Sequence, residues 1–159
     1  MPDGDIEIVT LEDALASGPA VLAFFPGAFT SVCSGEMTTF RDRLEELRAA
    51  DATLYGISTD LPFALRAFAD RHDLDIPLVG DTERRLVDAY GVRTESESPA
   101  VGGLARRAVF VVDPDRTVTD AWVADDPTRE PDHDAVAAAV VDARPAAPLL
   151  FRAPGLRNV

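Results

Sequence analysis

"RAVFVVDPDRTVTDAWV", Arg107 to Val123, decides how this chain folds. An apolar run reaches Val112, a turn follows at Asp113, Pro114 and Asp115, and a second strand-like run ends at Val123. Two strands joined by so short a turn lie antiparallel. The chain before the hairpin has a different rhythm. "PAVLAFF", Pro19 to Phe25, "TLYGIST", Thr53 to Thr59, and "IPLVGD", Ile76 to Asp81, are short strand-like runs. Helical patterns separate them. In "EMTTFRDRLEELRAA", Met37, Phe40, Leu44 and Leu47 fall on one face of a helix. In "LPFALRAFADRHDL", Leu61, Leu65 and Phe68 do the same, with Pro62 suited to the first turn. "DTERRLVDAYG" reads as a helix capped by Asp81 and stopped at Gly91 in a left-handed cap.

Thr94 to Gly103 is polar and reads as a loop, and "PDHDAVAAAVVDA" reads as a last helix. The order is therefore β-α-β-α-β-α-β-β-α. Alternation at the front demands parallel strands covered by helices; the hairpin adds antiparallel strands at one edge. A mixed central β-sheet flanked by helices satisfies both, and the thioredoxin-like fold is the best-known α/β sheet of this kind. At 159 residues the chain reads as one domain, 1–159, with 145–159 a C-terminal tail. The apolar "APLLF" of that tail, Ala147 to Phe151, is suited to cover a partner or the chain's own core.

The formal net charge of −13 repels nucleic acid and anionic lipid, so neither is expected as a partner. No apolar run is long enough to span a membrane, and "MPDGDIEIVT" lacks the apolar stretch of a secretory signal. A cytoplasmic protein is the expectation. The single cysteine forbids an internal disulfide, a C-x-x-C pair and a cysteine-rich zinc site. All 15 basic residues are arginine, and aspartate outnumbers glutamate. Such a balance suits a salt-rich interior, where ions screen the self-repulsion.

That cysteine, Cys33, lies in "FFPGAFTSVCSGEM", Phe24 to Met37, between a strand and a helix. In the first turn of a helix the backbone N–H groups lack internal partners and the macrodipole is positive, so a thiolate is favoured there. Pro26 fixes its own φ and offers no N–H. Thr30, three residues before Cys33, is placed to cap the helix or to hydrogen-bond a ligand at the sulfur. Glu36, one turn after Cys33, makes more sense as the partner of an arginine than alone.

"PGAFTSVC" has the form P-x-x-x-T-x-x-C, and "VLAFFPGAFTSVCSGE" resembles the active-site segment of the peroxiredoxins, thiol peroxidases of the thioredoxin fold. "RAVFVVD" is similar to a later strand of that family and maps its arginine to Arg107. The resemblance implies that Cys33 attacks a peroxide oxygen while Thr30, Arg107 and backbone N–H groups near Val32 and Cys33 hold the two oxygens. Pro26 would shield the sulfur and Glu36 would orient an arginine. It implies a sulfenic acid intermediate, no cofactor and no metal, and a homodimer. Some relatives carry a second, resolving cysteine five residues on; here Thr38 stands there. The resemblance is thus to a one-cysteine peroxiredoxin, re-reduced by an external thiol or thioredoxin-like reductant.

Other readings stand beside this one. Cys33 alone reads as a small buried hydrophobe, Thr30 as a cap only, and Glu36 as an exposed helix residue. Arg106 and Arg107 point to opposite faces of a strand, and one register step exchanges them. Trp122 reads as hairpin packing, and His72 and His133 as surface residues. A redox sensor signalling through Cys33, or a non-catalytic thioredoxin-like module, uses the same fold. One outcome follows from the charge alone. The melting temperature rises steadily from dilute buffer to molar potassium chloride; equal melting temperatures in both would remove the case for salt adaptation.

Overall fold

The fully apolar pattern of Ala20–Phe24 places this strand, β1, at the centre of the sheet, buried along its whole length. A computed structural model describes residues 6–143. In it, β1 pairs in parallel with β2, Thr53–Ser58, and β2 in parallel with β3, Leu78–Gly80. On its other side β1 pairs antiparallel with β4, Ala108–Val112, and β4 antiparallel with β5, Val118–Val123. The sheet order is β3-β2-β1-β4-β5. The hairpin thus turns a parallel sheet into a mixed one, as its sequence requires. The tail expected at 145–159 lies outside the described residues.

Strand alternation divides the apolar residues between two layers. Val21, Ala23 and Phe25 join Val109 and Val111 on one face, with Cys33, Met37, Phe40, Leu65, Phe68, Val136 and Val140 packed over them. These come from α2, Ser31–Asp42, α4, Pro62–His72, and α6, His133–Asp142. Ala20, Leu22 and Phe24 join Ala108, Phe110 and Val112 on the other face, under Val87 and Val92. The parity matters for the site. Arg107 shares the face of Val109 and Val111; Arg106 does not. Accordingly Arg107 is buried and Arg106 is exposed, its guanidinium reaching the carbonyl of Ala124 at 3.0 Å.

Four expectations change. The helix carrying Met37 and Leu47 is broken at Arg43, whose ψ of 6° separates α2 from α3, Leu44–Ala49. The apolar stripe survives the break, because all four of its residues stay buried. Asp81 does not cap α5, Arg85–Ala89; the N-cap is Arg84, at φ 60°. Asp81 instead accepts from the Val87 N–H at 2.9 Å, inside the buried layer. Leu61 is exposed, because the helix starts at Pro62 and leaves it outside the stripe. His133 is half-buried with its ring edge-on to Phe40, centroids 4.5 Å apart, and burial lowers its pKa. A short helix, α1 at Leu11–Ala14, was not legible in the apolar pattern; its capping box, Thr10 with Asp13, carries the signal.

Gly91 does end α5 as expected. Its φ is 67°, its N–H bonds to Asp88 and the next N–H, of Val92, bonds back to Val87. This is the Schellman arrangement. An added Cβ would meet nothing within 4 Å, so Gly91→Ala carries only the backbone penalty of the left-handed region. Urea denaturation should show a loss of about 1–2 kcal/mol with an unchanged m-value.

Candidate active site

Helix α2 begins at Thr30, its N-cap, which places Cys33 in the first turn. The strand before it is apolar and central, so the cysteine is delivered to the carboxyl end of β1 and into the core. Cys33 is 0% exposed and packs in the layer of Phe25 and Met37. Arg107 comes from the residue just before β4, which lies antiparallel beside β1. Its entry point therefore faces the carboxyl end of β1. Nη2 of Arg107 donates to Cys33 Sγ at 3.1 Å, and Nη1 donates to Glu36 Oε2. Nε donates to the carbonyl oxygen of Pro127 at 3.1 Å. One guanidinium thus spans a thiol, a carboxyl group and a backbone carbonyl, in a fixed fork that lysine could not match.

Glu36 is 0% exposed. Burial pushes its pKa up to about 7; Arg107 pulls it down, and Glu130 pushes it up a little further. The second oxygen of Glu36, Oε1, has no hydrogen-bond partner. For Arg107, burial works against the charge, but the neighbouring Glu36 and Cys33 outweigh it and hold its pKa above the ordinary arginine value. Gly35 sits where an added Cβ would lie 2.9 Å from Glu130 Oε1, so the close approach is to the end of an exposed side chain.

The structure brings Cys33, Glu36 and Arg107 into hydrogen-bond contact. Pro26 is half-buried in the loop between β1 and α2. Thr30 is exposed; its hydroxyl makes no cap bond and instead donates to the Gly27 carbonyl at 3.3 Å. Phe29 takes a left-handed backbone, φ 63°, with its ring edge-on to Phe68 at 5.4 Å. One side chain that the sequence did not single out, Asp60, also touches this loop, and Ser58 braces it. Asp60 Oδ2 accepts from the Ala28 N–H and from the Ser58 hydroxyl, both at 2.8 Å. Their position at and just past the carboxyl end of the parallel strand β2 was the available signal, since sites in such sheets collect there. Trp122, opposite Val109 in the sheet, packs against the Cys33 layer. Among the described residues no cluster of three or more His, Cys, Asp or Glu side chains is arranged to hold a metal ion, and no helix is long and apolar enough to cross a membrane.

A buried cysteine in a helix's first turn, with an arginine on its sulfur and a mixed thioredoxin-like sheet behind it, defines a thioredoxin-fold protein built around a single thiol. The chain belongs to the AhpC/TSA family, whose model matches residues 1–121. It is 33% identical over 134 residues to peroxiredoxin-1 of Gekko japonicus, covering 80% of this chain and 64% of that protein. It is 33% identical over 123 residues to a putative peroxiredoxin of Mycobacterium tuberculosis, covering 76% of this chain and 77% of that one. The crystal structure of peroxidoxin BcpB from Mycobacterium tuberculosis superposes with a TM-score of 0.74 at 31% identity, over 85% of this chain and 86% of that chain. The chain spans a little under two thirds of the length of several of these curated relatives, 63–64% for three of them.

The buried carboxyl makes a pH test. Its folded pKa, about 7, lies above the ordinary value of 4.5. Stability that depends on the protonated form is therefore full below the ordinary value and is lost as pH rises through about 7. Between pH 5 and 8 the wild type should lose stability relative to Glu36→Gln, with a slope difference of at most about 1.4 kcal/mol per pH unit. Parallel curves from chemical denaturation across that range would contradict it.

Proposed function

We propose that this chain is a one-cysteine thiol peroxidase acting on hydrogen peroxide or small organic hydroperoxides. The observation that carries the reading is the Arg107 guanidinium donating at once to Cys33 Sγ, at 3.1 Å, and to Glu36, with all three side chains buried. Positioned donors in a site closed to bulk water stabilise charge as it develops on a leaving oxygen. The Cys33 thiolate attacks one peroxide oxygen; an S–O bond forms as the O–O bond breaks. Sulfur loses two electrons, the peroxide gains them, and the departing oxygen leaves as water or alcohol after taking a proton. Arg107 and Thr30 hold the two oxygens, Pro26 shields the sulfur, and Glu36 fixes the guanidinium.

With Thr38 where a resolving cysteine would stand, the cycle closes from outside. An external thiol, or a thioredoxin-like protein, attacks the sulfenic acid, releases water and forms a mixed disulfide. A second thiol then frees Cys33. A lone cysteine suits a reducing compartment, so the reading places the protein in the cytoplasm. It also takes the working unit to be a homodimer, which light scattering would read.

Sulfenate formation after mixing reduced protein with hydrogen peroxide tests the reading. Cys33→Ser abolishes peroxide consumption, and Arg107→Ala lowers the second-order rate by about 10²–10³, the size of a lost charge-stabilising donor. A Cys33→Ser protein that consumed peroxide at the wild-type rate would sink it. Sustained turnover with a dithiol separates an enzyme from a sensor that stops after one equivalent.

A further inference from the structure

Loop 26–30 carries Pro26 and Thr30 and starts the helix that holds Cys33, so its conformation sets where the peroxide-facing groups stand. It is not at rest by itself. Phe29 is a non-glycine residue at φ 63°, a backbone state that costs about 1–2 kcal/mol and persists only where the surroundings impose it. The preceding residue is pinned: the Ala28 N–H donates to Asp60 Oδ2 at 2.8 Å, across 32 residues of sequence. The following residue is tied within the loop, by the Thr30 hydroxyl on the Gly27 carbonyl at 3.3 Å. The Phe29 ring rests on Phe68.

Asp60 is itself held. Its Oδ2 also accepts from the hydroxyl of Ser58 at 2.8 Å, and its own N–H donates back to that hydroxyl at 3.2 Å. Ser58 is 0% exposed and is the last residue of β2, the strand paired in parallel with β1. The chain from the rigid sheet to the loop is therefore continuous: β2, Ser58, Asp60, Ala28. An added Cβ on Gly27 would lie 3.7 Å from Asp60 Oδ2, so loop and carboxylate are already in contact distance.

From this geometry we infer that Asp60 is a positioning residue for peroxide reduction: its carboxylate anchors the Ala28 N–H, and through it the placement of Thr30 and the first turn of α2 relative to Cys33. The inference rests on the peroxidase reading. Asp60 touches no reacting atom. It acts by holding a strained loop in the one arrangement that aims donors at the peroxide, and small misplacements of such groups have large effects on rate.

The test compares two reactions of the same thiol in the full chain. Hydrogen peroxide needs oriented donors; iodoacetamide needs only access to the sulfur. Asp60→Ala should lower the second-order rate with peroxide by about 10–100-fold, the scale of an ångström-sized displacement, while alkylation by iodoacetamide changes far less. Asp60→Asn keeps a carbonyl oxygen that can accept from both donors, and restores the peroxide rate to near wild type. Ser58→Ala, which leaves Asp60 but removes its brace, should give a smaller loss of the same kind, and it decides the matter if Asp60→Ala fails to fold. Peroxide and iodoacetamide rates that fall together, or a peroxide rate unmoved in both Asp60→Ala and Ser58→Ala, would overturn the inference and leave the peroxidase reading standing. A wild-type protein inert to peroxide would overturn that reading and this inference with it.

Discussion

A buried guanidinium organises this protein. Arg107 is 2% exposed, and a cation so placed is tolerated only when its donors are met. Each of its three nitrogens has one acceptor: Cys33 Sγ, Glu36 Oε2 and the Pro127 carbonyl. They come from α2 and from the segment after β5, so one charge ties the cysteine helix to the end of the hairpin. Removing any of the three would leave a buried donor short, which is costly in a low-dielectric interior. The interaction is thus a constraint on the fold before it is a feature of a site.

The same constraint explains the unusual state of Glu36. It is held inside by Arg107, yet burial and the nearby Glu130 favour its neutral form. Its free oxygen, Oε1, finds no partner. When Glu36 is neutral, the charge of Arg107 is balanced by less and is felt more strongly at the sulfur. When Glu36 is ionised, the pair is tighter and the field at Cys33 weaker. The geometry that fixes the arginine therefore also sets how much of its charge reaches the thiol.

Much of the frame was legible in residue order. The change from strand–helix alternation to a hairpin marks a mixed sheet, because a two-way turn at Asp113–Asp115 cannot join parallel strands. Period two along β4 puts Arg107 with Val109 and Val111, the face that carries Cys33. Other details were not legible. Arg43 breaks a helix whose apolar stripe runs on unbroken, since the stripe reports burial and not backbone continuity. Asp81 has the chemistry of a cap, but its carboxylate serves the buried Val87 N–H instead. Asp60 stands in an ordinary polar turn and gains meaning only from Ala28, far away in sequence.

Sequence by itself determined the types of strand and helix along the chain, the presence of one thiol at a helix start, and a threonine, Thr38, five residues beyond that thiol. These follow from periodicity, turn chemistry and counting, which are local. Residue order offered Arg107 and Glu36 as candidates with alternatives beside them; the tertiary structure decided that the Arg107 guanidinium reaches Cys33 with Glu36 as its buried partner, and it alone showed that the loop before the cysteine is strained and pinned from β2. Those facts depend on the register between β1 and β4 and on the parallel seating of β2 beside β1. Register is set by packing of the whole sheet against its helices, and no short stretch of residues contains it.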